Sequence, residues 1–438
     1  PRVLEKLFSL FSENDMLDQK KSVISWAMYD WANSAFATTV MAGFFPIFFK
    51  EYWADPNLPQ QSTFYLGMAN SLASIIVAAL APFLGAVADR GSAKKKFLFF
   101  FAFLGVVMTG SLYMVAQGHW MQAVIFYVAA TVGFSGGNIF YDSLITGVSS
   151  EKKMDFTSTL GFGLGYIGGG LLFLLNVLMF QFPAFFGISG KVMAIKLSFL
   201  SVAIWWAVFS IPLFLFVKEP KAEKGVPFFH AVVEGWQQLI GTLRDIRHLK
   251  VVGLFLLAYW FYIDGVDTII RMAVDYGKSL GFDSGALIAA LLMVQFIAFP
   301  AAILYGLFSM RIGTKKAIMI AICAYTLITV LAFFMTQKWH FFTLAACIGL
   351  FQGGIQALSR SLFTQIIPAN KSAQFFGFFN MLGKFAVVFG PVMMGVITIL
   401  TENVRYGILS VTVLFVAGGF LLSRVNIEEG KRVAEEYL

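Results

Sequence analysis

Apolar residues run in long blocks along the chain, and short polar connections between them hold most of the charge. The blocks fall at 23–49, 64–88, 97–116, 121–147, 157–182 and 196–217, then at 251–272, 286–309, 317–336, 340–366, 374–400 and 405–423. Each is long enough to cross the ~30 Å hydrocarbon core of a bilayer as a helix, the form in which a single segment satisfies its own backbone hydrogen bonds. The pattern predicts an all-α integral membrane protein with twelve transmembrane helices. Two segments break it. Residues 1–22 read as an N-terminal amphipathic segment, with Val3, Leu4, Leu7, Phe8 and Phe11 beside Glu5 and Lys6, suited to the membrane surface. Residues 218–250 form the longest polar connection and carry a second amphipathic helix (Phe228, Phe229, Val232, Val233, Trp236, Leu239, Ile240, Leu243). The expected organisation is therefore a six-helix bundle over 23–217, a cytoplasmic linker over 218–250, a second six-helix bundle over 251–424 and a cytoplasmic tail over 425–438.

Composition agrees and narrows the function. Hydrophobic residues make up 58% and charged residues 13% of the 438 positions. A soluble domain carries about 25% charged residues, so a soluble globule is excluded. The net charge of +8 does not point to nucleic acid, because the basic residues sit in the connections. If the termini and the even-numbered connections are cytoplasmic, only Lys50, Lys191, Lys196, Lys278, Lys338 and Arg405 fall outside, while Arg271, Arg360 and Lys384 lie in or near helices. Every other one of the 32 basic residues is then cytoplasmic, as the positive-inside rule requires. Both termini are expected in the cytoplasm, with the short loops favouring a bacterial plasma membrane. Cys323 and Cys347 lie inside apolar blocks and read as helix-packing residues. The four histidines sit in connections or at helix ends, and no phosphate-binding Walker loop is present. No cofactor, no metal site and no enzyme chemistry is expected, and the partners are a small-molecule substrate, protons and membrane lipids, with the protein a monomer.

The two halves repeat one another. Gly85-Ala-Val-Ala-Asp89-Arg90-Gly91-Ser-Ala-Lys94-Lys95-Lys96 closes helix 2, and Gly306-Leu-Phe-Ser-Met310-Arg311-Ile-Gly313-Thr-Lys315-Lys316 closes helix 8. Phe134-Ser-Gly136-Gly137 in helix 4 is echoed by Phe351-Gln-Gly353-Gly354 in helix 10, and Asp30-x-x-Asn33 in helix 1 by Asp264-x-x-Asp267 in helix 7.

The Gly85–Lys96 segment resembles the loop motif of the major facilitator superfamily. That resemblance implies a fold of two pseudo-symmetric bundles and assigns Gly85, Asp89, Arg90 and Arg311 to gating. The acid closing helix 2 would lie at the amino end of helix 11, where a helix dipole favours negative charge. Met310 replaces the acid in the second copy, so no matching latch is expected there. Tyr29-Asp30-Trp31-Ala32-Asn33-Ser34-Ala35-Phe36-Ala37-Thr38-Thr39 is similar to a signature of the autophagy-related vacuolar effluxer family and its bacterial relatives. Phe255-Leu-Leu-Ala-Tyr259-Trp-Phe-Tyr262-Ile-Asp264-Gly265-Val-Asp267-Thr268 resembles that family's second signature, with Ile263 where an asparagine is usual. The resemblance implies a transporter, with amino acids as the substrate class.

Intramembrane polar groups mark the pathway, because a charge at the bilayer midplane costs about 2.5–3.5 kcal/mol on insertion scales. Asp30, Asp142, Asp264, Asp267 and Arg360 fall on helices 1, 4, 7 and 10, which line the central cavity in facilitator folds. Asn33, one turn beyond Asp30, and Asn138, one turn deeper than Asp142, are expected to hold the substrate together with Arg360. Arg360 is expected to pair with Asp142 or Asp30, closing the cytoplasmic side or gripping a carboxylate substrate; a permanent buried salt bridge is the structural alternative. A buried carboxyl without a firm partner can exchange a proton, which makes Asp30, Asp142 and Asp264 candidates for proton coupling. Tyr29 and Tyr262 are the aromatic candidates for substrate contact. The expected function is a secondary transporter of a small polar solute, an amino acid or related zwitterion or anion, working by alternating access. A lipid or amphiphile transporter is the second reading, and a non-transporting membrane receptor or scaffold the third.

Overall fold

The computed structural model describes residues 17–54, 59–91, 93–219, 250–282 and 284–436. The amphipathic stretches expected at 3–11 and 228–243 lie outside the described residues. The helices are α1 (Lys20–Trp53), α2 (Pro59–Gly91), α3 (Lys94–Ser111), α4 (Trp120–Leu144), α5 (Met154–Gln181) and α6 (Lys191–Phe216). They continue as α7 (Lys250–Ser279), α8 (Ser284–Ile312), α9 (Thr314–Phe333), α10 (Lys338–Ile366), α11 (Ser372–Thr401), α12 (Val404–Arg424) and α13 (Ile427–Glu436). Among the described residues, 10 helices are long and apolar enough to cross a membrane. The helices α2 and α11 hold shorter apolar stretches, Ile75–Asp89 and Phe389–Thr401, and are not among those 10.

Helix ends follow local chemistry. Gly313 takes φ 93°, a left-handed conformation open to glycine, and separates α8 from α9 within a single residue. Pro300 and Pro391 lie inside α8 and α11, where each removes one backbone donor. Helix α1 changes character along its length: Lys20–Ala35 is α-helical, then Phe36–Phe44 and Phe49–Trp53 are π-helical. The wider π turn shifts the register of everything beyond Ala35, inside the Tyr29–Thr39 signature.

One buried cluster draws on residues between Val252 and Val425, centred on aromatics such as Phe255, Tyr262, Phe363 and Phe415. Two others draw on residues between Val23 and Val217, with Ala373 of α11 joining one of them. Large apolar side chains also stand exposed on the outside, among them Phe100, Phe103, Phe185, Leu215, Ile399 and Leu400. That distribution suits a body surrounded by lipid rather than water.

Glycine lets α5 approach α1. A Cβ on Gly165 would press on Ser34 and the Asp30 backbone, and one on Gly169 would meet Ser34 O at 3.0 Å. Gly395 of α11, by contrast, has open space where its Cβ would stand. Cys323 is exposed and Cys347 half-buried, so the expectation that both pack between helices is corrected: Cys323 faces outward.

Candidate functional site

Six residues before the end of α10, ~9 Å along its axis, the Arg360 guanidinium enters a site made by α1, α4 and α5. Arg360 is 3% exposed. Its Nη1 donates to Asp142 Oδ1 at 2.9 Å and lies 3.5 Å from Asp30 Oδ2. Its Nε donates to Ser158 Oγ and its Nη2 to the Ser158 carbonyl, both at 2.9 Å. Rings pack around the same cation: Phe162 at 4.4 Å, Trp26 at 4.8 Å and Tyr141 at 5.5 Å from centroid to Cζ. The two acids are held in turn. Tyr141 Oη donates to Asp30 Oδ2 at 2.7 Å, and Asn380 Nδ2 of α11 donates to Asp142 Oδ2 at 3.3 Å. Trp26 stacks on Tyr141 at 4.5 Å and donates its Nε1–H to the Tyr141 carbonyl, fixing both walls.

Sequence reasoning left Arg360 a choice between Asp30 and Asp142; the fold brings it to both. Two carboxylates and one guanidinium leave one negative charge over among the described residues of the cluster. The guanidinium is already satisfied on Nε, Nη1 and Nη2, so in this conformation it closes the interface and is not held open for a substrate carboxylate. The pair expected to hold substrate beside it, Asn33 and Asn138, instead bond each other, Asn33 Nδ2 donating to Asn138 Oδ1 at 2.6 Å.

The remaining site residues divide. Tyr29 is fully buried with its ring 5.0 Å from that of Tyr141, in the wall behind the cluster. Tyr262 is fully buried and shares a hydrogen bond with Ser359 at 2.6 Å, one residue from Arg360. Asp264 joins none of them. It is buried against α11, where its Oδ1 accepts the Gly390 N–H at 3.0 Å and the Thr268 hydroxyl at 3.4 Å. The side chain of Lys384, the intramembrane cation of α11, lies outside the described residues.

Of the four residues expected to gate, Gly85 and Asp89 meet the start of α11. Asp89, at the end of α2, accepts the backbone N–H groups of Ala373 and Gln374 at the start of α11, at 3.2 and 2.9 Å. Lys94 completes the contact, 2.9 Å from Asp89 and 2.8 Å from the Ser372 hydroxyl. Gly85 is obligatory here because a Cβ would collide with the Ala373 backbone. The next lysine acts elsewhere. Lys95 Nζ donates to the carbonyls of Phe214 and Val217, closing the end of α6. The side chain of Arg90 lies outside the described residues, and Arg311 is exposed at the end of α8.

In the second copy, where Met310 stands in place of the acid, a carboxylate still meets the end of α8. The acid stands on the opposite helix. Asp155, in the first turn of α5, accepts from Ser309 Oγ and Thr314 Oγ1 at 2.8 Å each, and from the Ser361 hydroxyl. Gly306 crosses α5 there, where a Cβ would collide with Thr159. Lys315 Nζ donates to the carbonyls of Ser423 and Val425 at the end of α12, as Lys95 does for α6. The motif thus recurs three-dimensionally with Thr314 in the place of Lys94 and the carboxylate transposed from α8 to α5. Sequence reasoning missed Asp155 because the loop pattern places its acid at position 310.

The chain matches the family model described as vacuole effluxer Atg22 like over residues 57–154 and 148–435. It is 39% identical over 414 residues to an uncharacterized MFS-type transporter, YxiO, of Bacillus subtilis, covering 94% of this chain and 96% of that protein. Autophagy-related protein 22 of Coccidioides immitis is 24% identical over 544 residues, covering 95% of this chain and 88% of that protein. Among solved structures, the human organic anion transporter MFSD10 superposes with a TM-score of 0.68 at 12% identity, covering 92% of this chain and 99% of that one. The proton:xylose symporter XylE, bound to 6-bromo-6-deoxy-D-glucose, also scores 0.68, at 14% identity and covering 94% and 97%.

Proposed function

Because the chain belongs to the vacuole effluxer Atg22-like family of major facilitator transporters, we propose that it moves a small polar solute, an amino acid or related zwitterion or anion, by proton-coupled alternating access. It is an integral membrane protein and a secondary transporter of the facilitator fold, not an enzyme. The observation that carries the finer reading is Arg360: a buried cation on α10 closes on two acids of α1 and α4. Such a contact has two stable states, formed or parted, and parting it opens the cytoplasmic face. In our reading α2 and α11 are the remaining two of twelve spans, grouped as two six-helix bundles over 23–217 and 251–424. Both termini face the cytoplasm of a bacterial cell, and the monomer is the working unit.

The coupling follows from the charge left over in the cluster. When Arg360 withdraws, Asp30 and Asp142 face each other without their cation, and taking up a proton relieves that repulsion. Asp30 keeps the Tyr141 hydroxyl from the neighbouring α4, whereas the Asn380 contact of Asp142 comes from α11, so both acids are candidate carriers. Asp264 is the third candidate, on a separate helix pair. The test is purified protein in liposomes containing a pH-sensitive dye, with pooled amino acids added outside. Solute-dependent proton movement is expected, and Asp30→Asn should abolish it while leaving the melting temperature close to that of the parent. Proton movement retained in Asp30→Asn would remove that role from Asp30.

A further inference from the structure

The guanidinium of Arg360 and the site that receives it come from different parts of the chain. Trp26 and Asp30 lie on α1, Tyr141 and Asp142 on α4, Ser158 and Phe162 on α5, while Arg360 arrives from α10. The receiving site has the composition that recognises an organic cation: two carboxylates, a carbonyl and a hydroxyl as acceptors, and three ring faces. A ring face presents negative charge density, so it attracts a desolvated cation and offers an anion nothing.

We propose that this box is the substrate's own site and that Arg360 is a tethered occupant of it. When the cytoplasmic face opens, Arg360 leaves, and the vacated box takes a small organic cation, the guanidinium or primary ammonium of the transported solute. This rests on the transporter reading above and sharpens it: the solute must carry a positive head group, and its carboxylate, where present, is not what the box selects. The same geometry explains the closing motion. Substrate and Arg360 compete for one site, so the cytoplasmic latch re-forms only when the cation has left or a proton has taken its place.

The aromatic wall stands ready without its occupant, whereas Ser158, which accepts from Arg360 Nε and donates its hydroxyl to the Ala357 carbonyl of α10 at 2.7 Å, is freed for a new partner when that helix leaves. The Trp26–Tyr141 stack is set by contacts between α1 and α4 that do not involve α10. A wall assembled independently of its occupant is preorganised for another one of the same shape.

The experiment uses the full chain with agmatine, which carries a guanidinium at one end and an ammonium at the other. Proteoliposomes loaded with unlabelled agmatine should accumulate labelled agmatine from outside, with leucine and glutamate as comparison solutes. Phe162→Ala should weaken agmatine binding by about 2- to 30-fold, the range expected for loss of one desolvated cation–π contact. In parallel, the melting temperature of Arg360→Ala should rise with added ethylguanidinium, and that rise should disappear in Asp142→Asn/Arg360→Ala. Exchange of leucine or glutamate without agmatine would overturn the cation box and leave the transporter reading standing. Recovery of Arg360→Ala by ethylguanidinium without exchange of any solute would keep the box as a cation receptor and overturn the transport reading instead. Absence of both effects would overturn both.

Discussion

At the scale of single residues, the cluster around Arg360 is held by mutual dependence. Each carboxylate is desolvated, and its stability comes from the guanidinium and from Tyr141 or Asn380. Removing one partner strands the others, which for buried pairs typically costs about 3–5 kcal/mol, whereas removing a pair together costs far less. Asp142→Ala should therefore lower stability by about that amount, and Asp142→Ala/Arg360→Met should recover much of it. Thermal or denaturant melting of the detergent-solubilised protein checks this, and a double variant as unstable as the sum of its parts would show that the two residues do not act as a unit. Residue types and helix spacing were enough to single out Asp30, Asp142 and Arg360, because a charge is rare inside a bilayer and needs a partner. Asn33 and Asn138, singled out in the same way, bond each other in this conformation. Amides are satisfied by one another as readily as by substrate, and nothing in a sequence distinguishes the two cases before the helices are packed.

At the scale of helices, the two loop motifs close the same kind of crossing by different chemistry. Around α2 and α11 a carboxylate meets backbone N–H groups and a lysine; around α8 and α5 a carboxylate meets three hydroxyls. The first contact carries a helix-dipole contribution and an ion pair; in the second Asp155 sits in the first turn of its own helix, so the dipole acts within α5. Asp89→Asn and Asp155→Asn should each favour the state in which these crossings are parted. Labelling of a single introduced cysteine at position 357 by a membrane-impermeant maleimide, with Cys323 and Cys347 first replaced by Ala, should rise in both variants. No increase for Asp155→Asn would mean that the hydroxyl cage is a static contact. The α7–α11 crossing makes a parallel case about glycine. Gly390 offers its N–H to Asp264 one residue before Pro391, and a methyl group there would collide with Thr268. Gly390→Ala should cost about 1–3 kcal/mol as an overpacked contact, measured as a fall in melting temperature. Helix positions were legible from the apolar blocks, yet the transposed acid and the π-helical stretch of α1 were not. Both depend on how a neighbouring helix packs, and α5 begins too far along the chain for a loop motif to announce its partner.

At the scale of the whole molecule, one face is closed by a line of contacts that all join the region before residue 218 to the region after residue 249. They run from Asp89 with the start of α11, through Arg360 with Asp30 and Asp142, and Ser158 with the Ala357 carbonyl, to Asp155 with Ser309 and Thr314. The tail adds one more, Lys431 of α13 paired with Glu151 at 2.5 Å. None of these can persist while that face is open, so alternating access requires the set to break and re-form in every cycle. The consequence is testable at one point of the line. With Cys323 and Cys347 replaced by Ala, Ser158→Cys and Ala357→Cys joined by a short thiol cross-linker should stop exchange of any solute the parent carries, while either single variant treated alike should still transport. A cross-linker cleavable by reductant should let activity return on cleavage, which separates blocked motion from damaged protein. Exchange that continues across the joined pair would mean that this contact stays shut during transport, and the moving boundary would then have to be sought along a different set of helices.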